Sequence, residues 1–196
     1  GGRGDVGSLG VYQGNWGGRR RIERLRTHVQ EDVIRDGPAH VICAQEVDSE
    51  FIDMMTAECI LGRGDEGALK EVRRVAFQPD ANDKSCIVAA RASVATEVRF
   101  LEGFCLVDGE YKSRNKAKHV AHSRICVARV VWKRPMFGKP NHTFASVHMH
   151  AMTAKRQTGF AAGHEKFWRT LAAALGRYGV DILRGDFNMS LWQVVP

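Results

Sequence analysis

The order of elements along the chain predicts an α/β fold in which packed sheets are flanked by helices. Two observations carry that expectation. Short apolar runs alternate with segments of helical period as strand–helix–strand–helix, several strands in succession, then strand–helix–strand, whereas a single doubly wound sheet would keep the alternation throughout. The 196 residues, 44% hydrophobic and 26% charged, also suit one domain with its own core.

The glycine-rich start, residues 1–10, reads as a flexible tail, and residues 11–196 as the folded domain. Its Arg3-Gly4-Asp5 triplet is too short a match to carry an adhesion function. Leu9 to Gln13 is a short strand ending at Gly14-Asn15-Trp16-Gly17. Ile22, Leu25, Val29 and Val33, at steps of three and four, predict a helix that Gly37-Pro38 stops. His40 to Ala44 is a compact apolar strand with Gln45-Glu46 at its end. A second helix starts at Asp48 and carries Phe51, Ile52, Met55 and Ile60 on its apolar side.

Val72 to Phe77, Ser85 to Ala90 and Val94 to Leu101 read as strands separated by turn residues. Ser123 to Trp132 is a longer, valine-rich strand. The turn Gly138-Lys139-Pro140-Asn141 leads into a strand at Thr143 to His148. Gln157 to Tyr178 is a helix with Phe160, Phe167, Trp168, Leu171, Ala174, Leu175 and Tyr178 along one stripe. Val180 to Leu183 is a last apolar strand, followed by Arg184-Gly185-Asp186-Phe187-Asn188.

The net charge of +7 is concentrated. Nine of the 29 basic residues fall between Tyr111 and His142, a stretch with no Asp or Glu; the rest of the chain holds 20 basic against 22 acidic residues. Lys112, Arg114, Lys116, Lys118 and Arg124 lead this segment and are the candidates for a nucleic-acid surface, against the plainer reading of a solvated face. Trp132, Phe137 and Phe144 interleave with the basic residues and are expected in the core rather than as base-stacking platforms. Cys43, Cys59, Cys86, Cys105 and Cys126 are widely spaced and include no C-x-x-C pair. They are expected as small buried hydrophobes in a reducing compartment, hence an intracellular protein, cytoplasmic or nuclear. No apolar run approaches the roughly 20 residues that cross a bilayer, and no signal peptide opens the chain, so membrane insertion and secretion are not expected. No obligate protein partner is implied.

Polar residues gather where apolar strands end: Asn15, Gln45-Glu46, His148 and Asp186 to Asn188. Carboxylates and amides are hard oxygen donors of the kind Mg²⁺ or Mn²⁺ takes, and a neighbouring histidine can contact a phosphate or move a proton. His148 and His150, with His142 nearby, would suit zinc less well because no spaced cysteine joins them. Gly62 to Gly67 has neither the preceding strand nor the Lys-Ser/Thr of a phosphate loop.

Four fragments occur in a telling order: Asn15 in Gly-Asn-Trp-Gly, Gln45-Glu46 after Val-Ile-Cys-Ala, Ser146-Val147-His148-Met149, and Gly185-Asp186-Phe187-Asn188. In this the chain resembles the endonuclease/exonuclease/phosphatase superfamily, the group with the pancreatic-deoxyribonuclease-like fold. The resemblance implies a four-layer α/β sandwich of two mixed sheets flanked by helices, with the site at one edge. It implies Glu46 as principal metal ligand and Asn15 as a second, with Mg²⁺ or Mn²⁺ as cofactor. It further implies that Asp186 activates the attacking water, that Asn188 holds the scissile phosphate or the metal, and that His148 binds or protonates a phosphoryl oxygen. The implied activity is divalent-metal-dependent phosphodiester hydrolysis, with a nuclease on DNA or RNA as the leading expectation. The alternatives are a phosphatase on inositol phosphates or lipid headgroups, and a catalytically silent nucleic-acid-binding domain. Two departures stand out. Ser146 occupies a position where the family usually has Asn, and Pro196 arrives before the family's terminal Asp-His, so a C-terminally incomplete domain is expected.

Overall fold

A computed structural model describes residues 8–15, 39–47, 72–75, 85–91, 93–107, 110–113, 123–149 and 157–188. The helices expected over 22–33 and 48–60 and the start of the N-terminal tail lie outside these residues. The tail's last residues are held in place: His40 Nδ1 accepts the Gly10 amide at 3.0 Å, and the His40 amide donates back to Gly10 O at 2.8 Å.

Among the described residues nine strands form two mixed sheets. The first has the order β1-β2-β4-β3, from β1 (Val11–Asn15), β2 (Val41–Val47), β3 (Val72–Val75) and β4 (Ser85–Arg91). Only β1 and β2 run parallel in it. The second has the order β6-β5-β7-β8-β9, from β5 (Ala95–Val107), β6 (Glu110–Ser113), β7 (Ser123–Met136), β8 (Lys139–His148) and β9 (Ile182–Asp186). Its one parallel pair is β8 with β9, joined by helix α1 (Gln157–Tyr178), because parallel neighbours need a crossover rather than a hairpin.

Alternation along the strands sorts residues into two cores. Val41, Cys43, Cys86, Val88 and Ala90 of the first sheet meet Cys126, Ala128, Val130, Trp132 and Phe144 of the second, so the sheets pack face to face. The outer face of the second sheet turns Ile125, Val127, Ala145, Val147 and Met149 onto Phe167, Leu171 and Ala174 of α1. Steps of four and three put those helical residues on one stripe, as the sequence predicts.

Several boundaries differ from the sequence reading. β1 begins at Val11 and reaches Asn15, and β2 runs through Gln45-Glu46 to Val47 rather than stopping at Ala44. β9 likewise extends through Asp186. In each case polar residues continue the strand because they pair across the sandwich instead of facing water. β6, at the head of the basic segment, has too few apolar residues to be read from its sequence, and β5 lengthens to Val107 to pair with it. The β7–β8 turn is Phe137-Gly138, both at positive φ (48° and 74°), as a two-residue hairpin of right-twisted strands requires. Trp132 and Phe144 are core residues as expected. Phe137, at that turn, is not, with 64% of its surface exposed.

Candidate functional site

The two parallel pairs bring four strand ends together. β1 and β2 finish side by side, with Asn15 opposite Gln45, and β8 and β9 finish side by side, with His148 opposite Asp186. Across the sandwich, Asn15 Nδ2 donates to Asp186 Oδ2 at 2.7 Å, and His148 Nε2 lies 3.4 Å from Glu46 Oε1. Residues scattered from position 15 to position 186 thus close a ring at one end of the sheets.

Buried polar contacts lock that end. Gln45 is fully buried, donates to Ser146 Oγ at 2.9 Å and to Cys43 O at 3.2 Å, and accepts from Gln13 Nε2 at 2.8 Å. Ser146 Oγ passes its own proton to Ala44 O at 3.2 Å. Gln45 and Ser146 leave water altogether, so each needs such partners. Ser146, where an asparagine was the family expectation, therefore fastens one sheet to the other. Gln45 is a structural clamp, and the site residue beside it is Glu46.

Glu46 faces the site because the strand is bulged. Between Ala44 and Val47 β2 advances three residues while β4 advances two, from Ile87 to Ser85. Glu46 sits at φ 55°, in the left-handed region. One extra residue in that conformation interrupts the alternation, so Gln45 and Glu46 both turn toward the second sheet.

Asp186 is held at both oxygens, Oδ2 by Asn15 and Oδ1 by the Asn188 amide at 2.9 Å. Asn188, at φ 48°, donates Nδ2 to Met149 O at 2.6 Å, which identifies Oδ1 as the amide's acceptor end. Between them Phe187 stacks on Trp168 of α1, with centroids 5.5 Å apart and planes 6° from parallel. Gly185 is required by space: a Cβ there would lie 2.3 Å from Val147 O and Val147 Cγ2.

Arg124, counted from sequence with the basic surface, is placed elsewhere: it is buried at the end of β7 with Nη1 2.7 Å from His148 Nδ1. Sequence reasoning missed this role, as it missed the Trp168–Phe187 stack, because no spacing rule links either pair. Lys112 lies on β6, the edge strand of the second sheet, opposite Cys105; its side chain, together with Arg114, Lys116 and Lys118, lies outside the described residues. His142 is buried with Nδ1 accepting from Trp132 Nε1 at 2.7 Å, a core contact that leaves it apart from His148.

Among the described residues no three of His, Cys, Asp and Glu gather as a metal cluster. The donors present are instead one or two carboxylates and an amide oxygen. That set fits Mg²⁺, which keeps several waters and takes few protein ligands, better than zinc or calcium, which need a fuller protein cage. No described helix is long and apolar enough to cross a membrane. Compared with models of known protein families and with curated protein sequences, the chain matches none.

Proposed function

We propose that this chain is a divalent-metal-dependent phosphodiester hydrolase acting on nucleic acid, built on a four-layer α/β sandwich. The observation that carries the reading is the ring formed by Asn15, Glu46, His148 and Asp186 at the ends of four strands. Such a set on strands is held more tightly than one on loops, which hydrolytic chemistry needs.

Each residue has work suited to its contacts. Glu46 and Asn15 would hold Mg²⁺ or Mn²⁺, which when bound offsets the charge gathering on the phosphoryl oxygens. Asp186, fixed by donors at both oxygens, keeps further lone pairs with which to orient a water and receive its proton. Asn188 braces the Asp186 carboxylate through its backbone N–H, and the second Nδ2 hydrogen, not the one given to Met149 O, is the one it would offer a phosphoryl oxygen. His148 donates from Nε2 to the developing negative charge. The basic segment with Lys112, Arg114, Lys116 and Lys118 supports a polyanionic substrate through counterion release.

The test uses the full chain on supercoiled plasmid with Mg²⁺, with Mg²⁺ plus excess chelator, and with Asp186→Asn. Nicking is expected only with free metal, and the variant is expected to lose about 10²–10⁴-fold, the usual worth of a general base. Metal-independent nicking, or an Asp186→Asn variant as fast as wild type, would overturn the assignment.

A further inference from the structure

Arg124 is a buried cation at the site that the proposed chemistry does not use. Its Nη1 lies 2.7 Å from His148 Nδ1, and both side chains are almost wholly shielded from water. A guanidinium has five N–H donors and no acceptor, and it stays charged in proteins. Two N–H groups cannot meet head-on at 2.7 Å, since both protons would occupy one gap. Nδ1 must therefore present its lone pair. On the other side of the ring, Nε2 faces the Glu46 carboxylate at 3.4 Å, and an ionised carboxylate only accepts. A donor-only group and an acceptor-only group flank the imidazole and require the same arrangement.

We infer that Arg124 is a positioning residue that holds Nδ1 of His148 as an acceptor, so that the ring carries its proton on Nε2 and presents that N–H toward Glu46. Nε2 thus faces the Glu46 carboxylate at 3.4 Å. Ring orientation and proton placement are set from behind by β7. For catalysis this inference rests on the hydrolase reading; as a statement about the proton on His148 it does not.

The experiment separates the two. The full chain is labelled with ¹⁵N in histidine and arginine, and the His148 resonances are assigned through His148→Gln. Without metal or substrate, the wild-type spectra are expected to show protonated Nε2, a lone pair on Nδ1, and a coupling from Arg124 Nη1 to His148 Nδ1 through the hydrogen bond. Arg124→Lys, still a donor-only cation, is expected to keep Nδ1 unprotonated, whereas Arg124→Met is expected to lose the hydrogen-bond coupling at Nδ1. A wild-type Nδ1–H, or a wild-type Nδ1 with no coupling to Arg124, would overturn the inference. The wild-type result decides it even if the Met variant does not fold. In plasmid nicking, kcat should fall about 10–100-fold in Arg124→Met with KM nearly unchanged and recover in Arg124→Lys, the range for a residue acting through a site ligand. If no phosphodiester is cleaved at all, the hydrolase reading fails while the spectra still decide the role of Arg124.

Discussion

Replacing Gly185 by alanine should injure both the fold and the site, and the size of the injury follows from a single close approach. An alanine Cβ would stand 2.3 Å from Val147 O and from Val147 Cγ2, and 3.0 Å from Val147 C. Ordinary carbon contacts settle at about 3.5–4.0 Å, so roughly 1 Å must be found. The valine methyl can turn away, but the carbonyl oxygen belongs to β8 and can retreat only if β9 moves off its neighbour. Forcing one methyl into such a position costs about 1–3 kcal/mol. In a chain of this length that lowers Tm by about 2–12 °C. The same displacement carries Asp186 away from Asn15 and His148, its partners across the sandwich and along the sheet. A misplacement of about 1 Å at a reacting group is worth about 10²-fold in rate. Thermal melts and metal-dependent plasmid nicking read the two effects. Gly176→Ala is the control: it is an exposed position in α1 with nothing within 4 Å of its new Cβ, and it should gain about 0.5–1 kcal/mol. A Gly185→Ala protein that melts within about 1 °C of wild type and nicks normally would refute the close approach, and with it the placing of Asp186 by strand pairing.

Glu46→Gly should melt at or above wild type, because it relieves a left-handed conformation costing about 1–3 kcal/mol against a glycine entropy of about 0.5–1 kcal/mol; calorimetric titration should show Mg²⁺ affinity lost. A large drop in Tm would mean that the carboxylate itself holds the bulge. Burial raises the thiols of Cys43 and Cys86 and pushes Cys126 up to about 12, from an ordinary value of 9.0. The unfolded chain therefore sheds these protons first as pH rises above 9, and stability falls by about 1 kcal/mol per pH unit per thiol. Urea midpoints between pH 8 and 10.5 should decline less steeply in Cys126→Ala, and an unchanged slope would mean that the thiol is accessible. Changing Lys112, Arg114, Lys116 and Lys118 to Ser should flatten the salt dependence of duplex DNA binding, since four phosphate contacts imply a slope near −3.6. Binding indifferent to salt would make the segment a solvated face.

The core of this fold is legible in the sequence because local pattern and tertiary burial agree there. Val-Ile-Cys-Ala, the valine-rich run from Ser123 and the stripe from Phe167 to Tyr178 would be buried in any reasonable packing, and they are. The pattern fails where burial comes from a partner distant in sequence. Gln45 reads as the end of a strand until Ser146, 101 residues later, satisfies its amide. Strand β6 exists because β5 offers it an edge, and Lys112 or Tyr111 gives no local sign of it. Arg124 is the sharpest case. Composition assigns it to a cationic surface, and only the neighbouring sheet position of His148 turns it into a buried donor.

The departures from local preference gather mostly at the proposed site. Among the described residues three other than glycine have positive φ: Glu46, Phe137 and Asn188. Phe137 needs no further account, since it occupies a two-residue hairpin turn whose geometry demands that conformation. Asn188 is of a type that tolerates it, and its backbone N–H and one side-chain N–H help to fix the site. Glu46 has neither excuse. It lies inside β2, where stability alone would favour a glycine or no bulge at all. What the bulge achieves is the delivery of a carboxylate to the gap between the sheets, opposite His148. Strain of this kind persists only where the surroundings over-determine it, and the clamp of Gln13, Gln45, Ser146 and Ala44 is what does so here. The buried amide network and the strained acid are therefore one device: the first holds the two sheets in a fixed relation so that the second can face across them.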